Sequence, residues 1–261
     1  MTEWNASEYH QRSALQKWLA DESLGALDLE GSERVLDIGC GDGKITAEIA
    51  ERLPRGSVVG VDPSTRMIEF AREHFVADHA NLSFAVGDAT RLPYRDAFDL
   101  VVSFNALHWV PDQTAALRCI RDAMRPAGRS LLQFVSRGAR RSLEDVIEET
   151  REDPRWAGHF AGYQRPYLHP TPEEYRRLAE SCGLRVDRLD VALEAWNFGS
   201  RAAFAAFAGV TFVEWTRKLP TAEQAEFIAD VLDRYRRLGD GSAADAAVFH
   251  FYQMRIALRR A

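Results

Sequence analysis

Three aspartates stand where apolar runs end: Asp37 in VLDIGCGDG, Asp62 in VVGVDPS and Asp88 in FAVGDATRLPY. Carboxylates at the tips of successive strands can meet one ligand, accepting from ribose hydroxyls or an exocyclic amine. Gly39-Cys40-Gly41-Asp42-Gly43 follows the first tip and runs into a helical pattern, so the backbone can turn sharply and approach a ligand closely. The spacing is G-x-G-x-G, which departs from the G-x-G-x-x-G of dinucleotide binders, whose third glycine serves close packing beside a pyrophosphate. Asp37 is then free to meet a cation. A carboxylate there suits the α-amino group of a methionyl moiety and would repel a pyrophosphate. A sulfonium cofactor, S-adenosylmethionine, is the better ligand, although Asp62 would serve the ribose of NAD equally well. Singly, each aspartate is a common turn or N-cap residue; three in this order point to one site.

The elements that must position these acids can be read from the pattern between about residues 34 and 135. Short β-branched runs alternate there with stretches of helical period, the signature of βα units and a parallel sheet. Strands are expected at Arg34–Ile38, Ser57–Val61, Leu82–Val86, Phe98–Phe104 and Arg129–Val135, with helices at Lys44–Arg52, Ser64–Val76 and Gln113–Met124. Pro54 with Gly56 and Pro126 with Gly128 close helices, and Pro63-Ser64 opens one. The period is lost over 136–183, which reads as an inserted cap with one helix at Pro172–Cys182. Two long apolar stretches, Leu184–Phe198 and Ala246–Leu258, read as the last strands, with a helical region between them at about 200–240. The organisation expected is an N-terminal helical lid (1–30), a Rossmann-like core (31–135), the cap (136–183) and the closing strands with their insertion (184–261).

Composition narrows the function. The chain of 261 residues carries 33 Lys and Arg against 39 Asp and Glu, a net charge of -6 with no long basic run, so a nucleic-acid or anionic-membrane partner has no electrostatic footprint. Paired arginines such as Arg140-Arg141, Arg176-Arg177, Arg236-Arg237 and Arg259-Arg260 read as solvated element ends. Three cysteines without paired spacing, and an N-terminus lacking a signal-peptide pattern, suggest a reducing, cytoplasmic setting. No apolar run approaches the roughly 20 residues of a membrane span. No metal site is expected. Cys40 has no partner that would activate its thiol and reads as a small filler of the glycine loop.

At these residues the chain resembles class I S-adenosylmethionine-dependent methyltransferases, with VLDIGCGDG, VVGVDPS, FAVGDATRLPY and FDLVVSFNALHWV standing where that family carries its cofactor motifs. The resemblance implies an α/β fold, a doubly wound seven-stranded sheet whose last strand is antiparallel. It also implies S-adenosyl-L-methionine as cofactor and S-adenosyl-L-homocysteine as product. By residue it implies a methionyl-binding loop at Asp37, Gly39, Cys40 and Gly41, a ribose acid at Asp62, an adenine flank at Pro63, Ser64 and Met67, and an adenine edge at Asp88 and Ala89. Phe104 and Asn105 would wall the methyl group, and Tyr9 joins the cofactor-binding set. A narrower likeness, in SALQKWLADESL and SFNALHWVPDQTAALRCIRDAMRPAGRSLLQF, is to juvenile hormone acid methyltransferases, with trans-aconitate methyltransferases more distant. That group implies Gln16 and Trp109 as holders of a substrate carboxylate.

A carboxylic acid is already ionised at neutral pH, so making its ester needs neutral donors such as a glutamine amide or an indole N–H rather than a strong base. For a phenol or alcohol, His108 would be the natural base. The expected activity is methyl transfer to the carboxylate of a lipophilic or small organic acid by a monomer or homodimer. The alternatives are O-, N- or C-methylation of another metabolite, methylation of malonyl on a carrier protein, or a non-enzymatic sensor of S-adenosylmethionine or NAD. Aromatic residues of the cap, from Trp156 to Trp215, are expected mostly in core, with a few lining an apolar pocket.

Overall fold

The structure is a computed structural model that describes residues 14–25, 27–239 and 245–261, so Tyr9 lies outside the described residues, as does the side chain of Gln16. The elements in chain order are α1 (Ala14–Gly25), β1 (Arg34–Ile38), α2 (Lys44–Glu51), β2 (Ser57–Asp62), α3 (Thr65–Phe75), β3 (Leu82–Val86), β4 (Phe98–Phe104), α4 (Gln113–Ala123), β5 (Met124–Ser136), α5 (Leu143–Glu152), α6 (Pro172–Ser181), β6 (Leu184–Asn197), α7 (Arg201–Thr211), α8 (Val213–Thr216), α9 (Thr221–Arg236) and β7 (Val248–Arg260). They form one sheet of order β3-β2-β1-β4-β5-β7-β6. Strands β1 to β5 are parallel, while β7 is antiparallel to both β5 and β6.

Alternation along the strands splits the core between the two faces of the sheet. Val35, Val58, Leu100 and Val102 pack with Ala47, Ile49 and Ala50 of α2 and Ile68 and Ala71 of α3. Leu36, Ile38, Val101 and Leu132 pack with Leu117 and Ile120 of α4 and Tyr175 and Ala179 of α6. Both faces of the central strands are therefore buried, which is why their sequences read as continuous apolar runs.

A third cluster forms the cap over the sheet end. Phe204, Phe207 and Ala208 of α7, Phe212, Trp215, and Phe227, Val231 and Tyr235 of α9 pack with Val146 and Ile147 of α5, Leu15 and Leu19 of α1, and Phe249 and Phe251 of β7. Glu148, buried in this layer, accepts from the Trp215 indole at 2.9 Å and pairs with Arg151 at 2.8 Å, so its charge is compensated. Trp156 likewise donates to Asp230 at 2.9 Å.

Two sequence expectations need correction. The cap was expected to hold one helix, yet α5 is a second one, opened by a reciprocal capping box between Ser142 and Asp145. Its apolar face, Leu143, Val146 and Ile147, has helical spacing but only three residues, set among six acidic positions of the helix and its C-cap Asp153. The paired bases at 140 and 141 are also more than solvated ends, because the fold gathers them around a pocket with Arg137 and Arg165. No helix of the described residues is long and apolar enough to cross a membrane.

Candidate functional site

The chain leaves β1 for β2 on one side and reaches β4 on the other, so the sheet reverses its winding between β1 and β4. In open α/β sheets the crevice outside the strand ends at such a reversal is where ligands bind. The loop after β1 is built for that crevice. Gly39 (φ 75°), Gly41 (φ 54°) and Gly43 (φ 84°) all take left-handed backbone. A Cβ on Gly39 would lie 2.1 Å from the Ala106 Cβ at the β4 tip, so only glycine lets the two tips close. A Cβ on Gly41 would meet none of the described residues within 4 Å. The N–H groups of Gly39 and Cys40 donate to the Val61 carbonyl, tying the loop to β2. Cys40 is buried with its thiol pushed well up by that burial and by the nearby acids, in keeping with a filler role.

Asp62 and the turn that carries Asp88 lie side by side. Asp62 accepts from the Gly41 N–H at 3.0 Å and from the Ser64 N–H at 2.9 Å, and its carbonyl receives the Gly87 N–H at 3.0 Å, which brings the Gly87-Asp88 turn alongside. Ser64 caps α3 by accepting from Met67 N–H. Met67 is buried whereas Pro63 is exposed. Asp88 accepts from the backbone and hydroxyl of Thr90 and pairs with Arg91, and although burial opposes ionisation these donors hold its carboxyl below the usual range. Ala89 beside it is buried. Val86, paired in register with Asp62, leaves 52% of its surface exposed at the tip of β3. Val86 thus leaves apolar surface next to Asp62 and two residues before Asp88, and the Asp62 carboxylate at the glycine loop is a group that could receive ribose hydroxyls.

Asp37 departs from its expected state. It was read as free to meet a cation, yet it is 1% exposed and accepts from the Thr46 hydroxyl on α2 at 2.6 Å. Burial pushes its carboxyl up to about 7, against the Thr46 hydrogen bond and with a contribution from Asp62. The physical reason is its position in a strand covered on both faces, where a side chain two residues before the turn cannot reach solvent. A cation above the loop would therefore have to share or displace the Thr46 contact.

Phe104 and Asn105 follow β4. Phe104 is core, and Asn105 takes left-handed backbone (φ 55°), donates its N–H to the Gln133 carbonyl at 2.7 Å and accepts from the Gln253 amide at 3.0 Å. The Asn105 Nδ2 is buried without a partner. Gln113 pins the next turn, Leu107–Trp109, by donating to the carbonyls of Leu107 and Val110. That turn sends His108 and Trp109 into a cavity of about 100 Å³. The cavity is walled mainly by Leu15 and Leu19 of α1, Val135, Ile147, Phe207, Phe212 and Trp215. His108 is buried, its Nδ1 has no partner, and burial followed by the neighbouring His169 drives its protonation well below the usual pH. Trp109 meets Trp215 edge-on at 6.0 Å. Of the aromatic residues expected around a pocket, Phe207, Phe212 and Trp215 are the ones at its wall, while Trp156, Phe160 and Phe204 are core.

Sequence reasoning passed over Val86, Gln133, Gln253 and Glu144. Gln133 donates to the Leu19 carbonyl at 3.1 Å and Arg255 pairs with Glu22, so α1 is tied across the sheet end, while Lys17 pairs with Glu48 of α2 on the other side. Glu144 lines the same cavity with one oxygen buried and without a partner. Its one available signal was a charge three residues after Arg141 at a helix start, which reads as an ordinary N-terminal acid.

A family described as Methyltransferase domain matches residues 35–128. The chain is 30% identical over 241 residues to trans-aconitate 2-methyltransferase of Variovorax paradoxus, covering 88% of this chain and 88% of that one. It is also 30% identical over 195 residues to juvenile hormone acid O-methyltransferase of Bombyx mori, covering 69% of this chain and 68% of that one. Among solved structures, phosphoethanolamine N-methyltransferase 2 of Haemonchus contortus, in complex with phosphomonomethylethanolamine and S-adenosylhomocysteine, matches with a TM-score of 0.62 at 17% identity, covering 98% of this chain and 57% of that one.

Proposed function

The chain belongs to the class I S-adenosylmethionine-dependent methyltransferases, and from that footing we propose that it esterifies the carboxylate of a lipophilic or small organic acid. The cofactor supplies an electrophilic methyl carbon. We assign 31–135 and the closing strands to cofactor binding, with α1, 136–183 and the helices of about 200–240 forming the acceptor pocket. Gly39, Cys40 and Gly41 bring backbone to the methionyl end, Asp62 accepts from the ribose, and Asp88 stands at the adenine edge.

The observation that carries the acceptor reading is the cavity beyond Asn105. Its walls are mainly apolar, and the described residues lining it include no Lys or Arg. The unpartnered Asn105 Nδ2 and His108 Nδ1 and the indole of Trp109 are neutral groups at its polar end. Neutral donors can orient one carboxylate oxygen without holding the anion as firmly as a guanidinium would. The oxygen that attacks is already deprotonated, so no side chain has to take a proton, and these residues act by alignment, which alone can supply roughly 7 to 11 kcal/mol. His108 is kept neutral by its burial and serves here as an orienting group rather than as a base. Gln16 of α1 joins Trp109 in this role by likeness to the carboxylate methyltransferases.

Glu144 favours a second reading, methylation of an amine or hydroxyl, because an unpartnered carboxylate in the cavity attracts a donor and repels an anion. A screen of carboxylic acids, amines and alcohols with methyl-labelled cofactor separates the two. Ester products from apolar acids are expected; labelled amines alone would replace the first reading by the second.

A further inference from the structure

Behind the cap lies a second pocket whose character is opposite to that of the acceptor cavity. Arg137, Arg140, Arg141 and Arg165 line it together with Ser136 and His169. Four guanidinium groups around one concavity are unusual in a chain of net charge -6. Asp145 is the one acid among the described lining residues, and both its oxygens are engaged, one by the Ser142 N–H and the other by the Tyr167 hydroxyl.

The pocket holds buried polar groups without partners. Ser136 is 2% exposed and its hydroxyl has no partner; His169 is 8% exposed and its Nε2 has none. The Nε of Arg140 is likewise buried and unpartnered, and Arg137 makes no side-chain hydrogen bond or ion pair with any described residue. Arg141 pairs with Glu149 at the rim, and Arg165 stands 3.9 Å from Glu148 and over the ring of Tyr167. Buried donors left unsatisfied cost free energy that a bound acceptor would recover.

The loop that presents the bases is held in place. The Arg137 N–H donates to the Pro170 carbonyl at 3.1 Å, and Gly138 lies so close on Tyr252 that a Cβ would come 2.2 Å from its ring. The Arg140 N–H reaches the Tyr252 hydroxyl, and Ser142 caps α5 immediately after. A charged loop fixed at four successive points is preorganised.

We infer that this pocket is a binding site for a small anion, a phosphate or polycarboxylate group, separate from the methyl-acceptor cavity. The two cavities share the wall residue Phe251 and are divided by Tyr167 and His169, with the His169 and His108 rings 6.0 Å apart. The inference does not depend on which acceptor is methylated.

Calorimetric titration of the whole protein with inorganic phosphate and with citrate tests it, alongside the NMR resonances of the His169 ring. A saturable one-to-one isotherm is expected, weakening as salt rises, with His169 resonances moving while those of the remote His79 stay fixed. Arg137→Ala and Arg165→Ala, both at exposed positions, should each weaken binding about tenfold, whereas Arg188→Ala on the outer strand should leave it unchanged. Tighter phosphate binding would mark a phosphorylated ligand and tighter citrate binding a polycarboxylate. Absence of saturable binding of either anion, or binding that survives both arginine substitutions, overturns the inference.

Discussion

Gly39 and Ala106 are the contact at which the two halves of the sheet meet: one follows β1, the other follows β4, and a Cβ on the first would lie 2.1 Å from that of the second. Gly39→Ala combines this overlap with a left-handed φ of 75°. Left-handed strain and overpacking together should cost about 2 to 4 kcal/mol. Thermal denaturation should show the loss, and calorimetry should show weakened S-adenosylmethionine binding. Adding Ala106→Gly should recover part of both; full activity in Gly39→Ala alone would show that the loop is not shaped by this contact.

Asp62 and Gln16 should separate in their effects. Asp62→Ala removes the group that organises Gly41 and Ser64 as well as the ribose acceptor, so the cofactor dissociation constant should rise about tenfold or more. Gln16→Ala should lower turnover with little change in that constant. A large loss of cofactor affinity in Gln16→Ala alone would reverse the two assignments.

Asp37 should impose a pH dependence on stability. Its carboxyl is raised in the fold to about 7 from an unfolded value of about 4. The protonated form is the one the fold favours, so this group's contribution is fully present below pH 4 and is lost as pH rises to 7. Asp37→Asn should remove that slope and be at least as stable as the parent protein at pH 8, while binding S-adenosylmethionine less tightly. Denaturant midpoints at pH 5 and pH 8 decide it: an unchanged slope in the variant would place the titration elsewhere.

Glu144 distinguishes the acceptor classes within one variant. If the acceptor is an acid, Glu144→Gln should raise kcat/KM severalfold by removing a like charge from the cavity. If it is an amine, the same change should lower it. Steady-state kinetics with the best substrate of each class give the sign directly.

Glu148 should be costly to neutralise. It is 4% exposed and receives the Trp215 indole and the Arg151 guanidinium. Glu148→Ala leaves the buried Trp215 indole without an acceptor while Arg151 keeps Glu152, so the change should cost about 1 to 3 kcal/mol. The melting temperature should fall accordingly, and cap-loop protection from proteolysis with it.

What the sequence made legible follows from which forces are local. Strands β1 and β4 are covered on both faces, so their apolar runs end sharply at Gly39 and Asn105, while β2 ends at Asp62, in register with Val86 just before Gly87-Asp88. Helix α5 was missed because its buried stripe is only Leu143, Val146 and Ile147 amid acidic neighbours. The burial of Asp37 under Thr46 was not legible, since it depends on a helix packing back over the strand. Nor was the network in which Gln253 meets Asn105 and Gln133 meets Leu19, because those partners are 148 and 114 residues apart. The arginine pocket is of the same kind: Arg165 comes from a loop that joins Arg137 and Arg140 only through folding.

The edge-on pair of Trp109 and Trp215 gives the protein a built-in optical probe. Both indoles border the cavity, so exchanging its solvent for an apolar occupant changes the polarity around two chromophores at once. Tryptophan emission should then shift to shorter wavelength as the cavity fills, allowing occupancy to be followed in the unlabelled protein without any turnover.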